Sequence, residues 1–249
     1  MISKKYFSRL LSIVAIVALA LPLAPATVVA QDDGSGYTQV RTMIVKGGQI
    51  PAYLELQRQF ARAEKAADRS RNFWQEIRGD TSTFYAVRSL DRLGDNDAAF
   101  QPAMEQDDWD KWIVAFGDTV ASSTYAILRN YPELQIPADE GTELNMLYLR
   151  ERNVAPGKSD EYHDWIQNRL MPALRKGGVK GFGYSRVAMG GNNNTWIGTT
   201  RLENWSALDG PGPFTDMDAD EIEAMLAAGN ALLVSSENRI LRYRADLSY

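Results

Sequence analysis

Ser122-Ser123-Thr124-Tyr125-Ala126-Ile127-Leu128-Arg129 and Ser235-Ser236-Glu237-Asn238-Arg239-Ile240-Leu241-Arg242 are two versions of one stretch, with a period of about 112 residues. The likeness continues into Glu133-Leu134 and Asp246-Leu247. Upstream, Thr83-Phe84-Tyr85 matches Thr195-Trp196-Ile197, and Leu90-Asp91 matches Leu202-Glu203. Gly79-Asp80 and Gly190-Gly191 mark the same turn in each copy. Several patches in the same order argue against chance. A period this long means two copies of a small domain rather than a solenoid.

Each copy reads the same way. A strand comes first, Tyr37 to Val45 and Leu144 to Arg152, followed by a loop of turn residues. An amphipathic helix follows. Tyr53, Leu56, Phe60, Ala63 and Ala67 form one apolar stripe, and Tyr162, Ile166, Leu170, Ala173 and Leu174 form the other. Ser159 is expected to cap the second helix, and Gly177-Gly178 to stop it. Two strands joined by a turn come next: Phe73 to Arg78 with Thr83 to Ser89, and Phe182 to Met189 with Thr195 to Thr200. A second helix spans Asp108 to about Ala121, and Ala219 to about Leu233. The last strands are Tyr125 to Tyr131 and Arg239 to Arg244, and Pro132 to Gly141 reads as the connector.

The order is βαββαβ, twice, which is the ferredoxin-like split βαβ unit. The expected class is therefore α+β. Each four-stranded sheet carries helices on one face and leaves the other bare. Burying the bare faces together predicts two tandem ferredoxin-like halves, residues 31–135 and 136–249, in one α+β barrel with helices outside. One chain then completes the barrel, so a monomeric pseudo-dimer is expected.

Residues 1–30 stand apart. Lys4, Lys5 and Arg9 precede an apolar run, Leu10 to Leu21, too short for an ordinary membrane span and suited to a signal peptide. Val28 and Ala30 are the small residues of a cleavage site after Ala30. An uncleaved anchor is the alternative, and Pro22 and Pro25 weigh against it. No cysteine follows for lipid attachment, and no Arg-Arg pair marks the twin-arginine route. The expected location is the periplasm or the medium.

Removing the three basic residues of that segment leaves 24 basic against 32 acidic side chains, a net charge of −8. That balance argues against nucleic acid and against an anionic membrane surface as partners. The chain has no cysteine and one histidine. Disulfides, thiolate chemistry, iron–sulfur clusters and multi-histidine metal sites are excluded. Any serine triad would have to use His163.

The duplicated pattern resembles the dimeric α+β barrel superfamily. The turn Val154-Ala155-Pro156-Gly157-Lys158 before an aromatic-containing helix is similar to the start of antibiotic-biosynthesis-monooxygenase-like and NIPSNAP-like domains. The resemblance covers both copies, Tyr37 to Tyr249, and rests on turn glycines and core positions. The ending Arg242-Tyr243-Arg244-Ala245-Asp246-Leu247-Ser248-Tyr249 is similar to the tail of exported bacterial proteins of this type. The resemblance implies a range from cofactor-free monooxygenases and isomerases through haem enzymes of the chlorite-dismutase type to proteins without activity. Fold does not decide among them.

His163 is the candidate acid–base group, or a haem ligand, on the flank of the second apolar stripe. A boundary histidine with its polar tip in water explains it as well. Tyr148, Trp165, Tyr184, Arg186 and Trp196 are candidate ligand-binding residues beside it. Tyr184 and Arg186 share strand parity and so face one side. Core aromatics and a solvent-facing arginine account for the same residues. The acidic run Asp216-Met217-Asp218-Ala219-Asp220-Glu221 lacks the glycine of a calcium loop and reads as an acid-rich helix start. No metal and no cofactor are expected. The leading expectation is an exported, non-catalytic protein that binds a small, partly apolar molecule, with function carried by the second copy. A cofactor-independent monooxygenase or isomerase using His163 is the alternative, and haem binding the third reading.

Overall fold

A computed structural model of the chain describes residues 36–96, 101–140, 145–209, 212–214 and 216–249. The leader, Gly141 and Leu144 lie outside the described residues. Among the described residues no helix is long and apolar enough to cross a membrane.

Eight strands form the frame: β1 (Tyr37–Val45), β2 (Asn72–Arg78), β3 (Thr83–Leu90), β4 (Val120–Ile136), β5 (Met146–Val154), β6 (Phe182–Met189), β7 (Thr195–Leu202) and β8 (Leu233–Tyr243). They close into one antiparallel barrel in the order β1-β3-β2-β8-β5-β7-β6-β4. The class is α+β, as expected. Closure comes from hydrogen bonds at two seams. β2 pairs with β8, Trp74 opposite Tyr243, and β4 pairs with β6, Arg129 opposite Arg186. Closing the sheet leaves no edge strand for a second chain to extend.

β4 and β8 are longer than their polar sequences suggest. Ser235, Ser236 and Glu237 look like turn residues, yet they pair with Asn153, Arg152 and Glu151 of β5. A backbone ladder is indifferent to exposed side chains, so a neighbouring strand overrides weak local preference. The expected connector is also part of a strand. β4 runs through Pro132, which has no N–H to give, and slips register between Asn130 and Gln135. The residues between them swing out and bury Leu134 completely.

The helices pack on the outer face. α1 (Ile50–Ala66) and α2 (Gln106–Thr119) lie over the first strands. Tyr53, Phe60, Trp112 and Phe116 meet Met43, Phe73 and Phe84 there, and Leu247 completes the cluster. Over the later strands lie α3 (Ser159–Trp165), a π turn (Ile166–Leu170), α4 (Met171–Lys176) and α5 (Ala219–Asn230). Tyr162, Ile166 and Leu174 meet Phe182, Tyr184 and Trp196, and Leu134 completes that cluster.

The π turn has a local cause. Pro172 follows Met171 and cannot donate to the preceding turn, and the Met171 N–H reaches back five residues to the Ile166 carbonyl. Ser159 does not cap α3. Lys158 occupies the cap position, and the Ser159 hydroxyl donates instead to Asn194 Oδ1 at 3.3 Å. The stop at Gly177-Gly178 is where the sequence puts it, with Gly178 at φ 70°.

Candidate functional site

Two clefts lie between helices and barrel. The one beneath α3, α4 and α5 encloses 300 Å³. Its wall includes Tyr148, Arg150, Tyr162, Trp165, Tyr184 and Phe214. Two glycines let its aromatics settle. A Cβ at Gly198 would stand 2.7 Å from the Tyr184 ring, and one at Gly229 would stand 2.4 Å from the Trp165 indole. Trp165 also donates its indole N–H to the Met225 carbonyl at 3.0 Å. Arg150 lies over the Tyr148 ring at 4.1 Å and donates to Thr200 Oγ1 at 2.7 Å. Burial holds the Arg150 pKa below its usual value, while Tyr184 and Tyr148 act the other way. Burial, assisted by Tyr184, pushes the Tyr162 hydroxyl far above the usual tyrosine range.

Tyr148, Trp165 and Tyr184 thus share one wall. His163, Arg186 and Trp196 are not in that wall. His163 Nε2 faces Glu133 Oε1 at 3.1 Å, and its ring packs against Tyr131 and Trp196 at 5.1 and 5.8 Å. It lines neither this cleft nor the one beneath α1 and α2. Arg186 donates to the Asn193 carbonyl at 2.6 Å. Trp196 is buried in the core with its indole N–H lacking a hydrogen-bond partner. Glu133, Tyr131 and Trp196 thus surround the one imidazole that could ligate a haem. Among the described residues no group of three or more His, Asp or Glu side chains is placed to hold a metal ion.

The larger cleft is the one the sequence reading passed over. It lies beneath α1 and α2 and encloses 660 Å³. One wall is a ladder of rings on α2. Trp109 stacks on Trp112 at 5.2 Å and 9°, and Trp112 on Phe116 at 4.9 Å and 16°. Trp112 gives its indole N–H to the Leu56 carbonyl at 2.8 Å, which fixes the plane of the ladder. The signal was present in the sequence as aromatics at helical spacings of three and four.

Three arginines, Arg41, Arg71 and Arg88, also line this cleft. Arg41 donates its Nε to Ser123 Oγ at 2.9 Å, with its guanidinium over Phe116 at 4.7 Å and Tyr125 at 5.0 Å. Burial lowers its pKa, and the neighbouring Arg71 charge adds to that effect. Arg88 donates an Nη2 hydrogen to the Asp95 backbone carbonyl at 3.4 Å. Among the described residues none of the three has a carboxylate within ion-pair distance. The one acid in the wall, Asp95, spends its oxygens on Arg92 and on the Asp91 and Arg92 N–H groups. The cleft thus presents uncompensated positive charge beside flat apolar rings.

No protein-family model matches the chain, and no curated protein sequence matches it. Solved structures do. A protein assigned as a monooxygenase from Fusobacterium nucleatum subsp. nucleatum ATCC 25586 superposes with a TM-score of 0.58 at 12% identity, covering 84% of this chain and 93% of that one. One assigned as a monooxygenase from Lactobacillus acidophilus NCFM gives 0.55 at 9% identity, covering 84% and 94%. An anthrone oxidase-like protein gives 0.53 at 16% identity, covering 84% and 91%. The chain shares the fold of these neighbours, with its strands closed into an α+β barrel. At such identities the likeness is one of fold.

Proposed function

We propose that the chain binds a small, flat, partly apolar anion in the cleft beneath α1 and α2. One observation carries this reading: Arg41, Arg71 and Arg88 line a 660 Å³ cleft without an ion-pair partner among the described residues, beside the Trp109–Trp112–Phe116 ladder. Like charges brought together in a partly desolvated cleft cost free energy until an anion joins them. Stacked rings favour a planar body. Titration with an anionic aromatic dye such as anilinonaphthalene sulfonate tests it. Saturable binding that weakens as salt rises is the expected result, and absence of saturable binding overturns it.

Catalysis through His163 has one feature in its favour, the imidazole–carboxylate pair with Glu133 at 3.1 Å. It lacks a cavity beside that pair, so binding without chemistry is the reading that the site supports better.

Three further assignments belong to this proposal. The chain is a tandem duplication of a ferredoxin-like unit. Its first four strands run β4-β1-β3-β2 around the barrel and its last four β8-β5-β7-β6, the same order by position, which supports this. Arg41 and Arg150, Tyr53 and Tyr162 hold the same positions in their elements, and Phe73 and Tyr184 face equivalent partners, Ala86 and Gly198. The protein is a monomer that closes its own barrel, and sedimentation at low concentration tests that. It is exported by residues 1–30 to the periplasm or the medium, and N-terminal sequencing of the secreted product should begin at Gln31.

A further inference from the structure

The interior of the barrel is not filled. A cavity of 580 Å³ is lined by residues from all eight strands, which places it inside the closed sheet. Eight-stranded barrels are ordinarily plugged by their own side chains or hold one small ligand. Here Val40, Val87, Leu147, Leu149 and Ile197 face inward by strand parity, yet each keeps part of its surface uncovered. Apolar surface left bare inside a protein favours an apolar guest.

The polar wall says what kind of guest. Asn130 Nδ2 donates to Thr38 Oγ1 at 3.1 Å, and the Ser185 hydroxyl donates to Asn130 Oδ1 at 2.7 Å. An amide nitrogen has two hydrogens and a serine oxygen two lone pairs, so this group retains one donor and one acceptor position. The full charge in the wall is Arg201, which sits exposed at the rim with Ser89. At the inner end, Tyr85 separates the cavity from Arg239, around which Glu76, Glu151 and Glu237 gather. Three carboxylates to one guanidinium disfavour an anion in the deep part.

We infer that the barrel interior is a second binding site, for one uncharged, largely apolar molecule bearing a hydroxyl or carbonyl oxygen that meets Asn130 and Ser185. It is separate from the arginine-lined cleft, whose residues alternate with these along the same strands.

The uncharged dye N-phenyl-1-naphthylamine tests this on the full chain. Its fluorescence should rise to saturation at one equivalent. In methyl-labelled unaltered protein, chemical shifts should move at Val40, Val87, Leu149 and Ile197. Val87→Trp fills the cavity and should weaken the dye at least tenfold, while binding of the anionic dye in the outer cleft is unchanged. Absence of saturable binding overturns the site, and so do shift changes confined to Met43 and Ile113 of the outer cleft. The shifts are read on the unaltered chain, so they decide even if Val87→Trp fails to fold.

Discussion

The Tyr85 hydroxyl donates to Glu76 Oε2 at 2.9 Å, and the carboxylate that it meets is 3% exposed. Burial, against the hydrogen bonds from Tyr85 and the Asp80 N–H, holds Glu76 above the usual glutamate value of 4.5. The folded chain therefore takes up this proton at a higher pH than the unfolded chain. Stability from this group rises as pH falls through the raised value and levels off below about 4.5. Glu76→Gln removes that dependence. Melting temperatures across pH should show the wild type gaining on the variant upon acidification, and parallel curves would contradict it.

Asp246 works in the opposite sense. Hydrogen bonds from Arg244, with Arg58 assisting, hold it below its usual value. Its contribution is present above the ordinary aspartate range and is lost as pH falls through the lowered value. Asp246→Asn should lose stability at neutral pH, with the deficit disappearing in acid. Denaturant midpoints at neutral and acid pH check the sign.

Arg41 holds a geometry that an anion would share. Arg41→Ala should weaken the anionic dye by roughly tenfold to a hundredfold, the range for one charge-assisted hydrogen bond. Arg41→Lys should restore part of the salt dependence without the affinity, because an ammonium lacks the planar fork. Isothermal titration at two salt concentrations separates the two effects.

Gly198 leaves room for the Tyr184 ring. Gly198→Ala should cost about 1–3 kcal/mol by overpacking, since the new methyl meets ring atoms that are themselves confined. The double variant with Tyr184→Leu should recover much of the loss. Denaturant midpoints measure both, and equal stability of Gly198→Ala and wild type would refute the contact.

His163→Ala should change stability by about 1 kcal/mol, the range of one net hydrogen bond. Anionic-dye binding beneath α1 and α2 should be unchanged. A tenfold loss would mean that the imidazole reaches that cleft by a route the contacts do not contain.

Much of the architecture was legible because patterns of period two and 3.6 survive in single elements. β1 and β6 have the bounds that alternation predicted, Tyr37–Val45 and Phe182–Met189. The strands that the sequence under-read are β4 and β8, whose polar ends are held by backbone pairing together with side-chain bonds such as Arg41 to Ser123 and Asn153 to Ser235. The site was half legible. Tyr148, Trp165 and Tyr184 share a cleft because β5, α3 and β6, which carry them, meet there. Attention to the lone histidine drew the reading away from Trp109, Trp112 and Arg41. A rare residue marks chemistry only when a cavity adjoins it, and cavities depend on packing across elements.

Leu134 lies in the cluster beneath α3, and Leu247 in the cluster beneath α1. Tyr249 packs there too, with its hydroxyl pushed up to about 12 by burial. The cluster built from α1 and α2 is thus completed by Leu247 and Tyr249, which are made after all eight strands. A growing chain cannot seal its first half while its second is unmade. The order of synthesis itself thus keeps this early cluster open until β8 has been made.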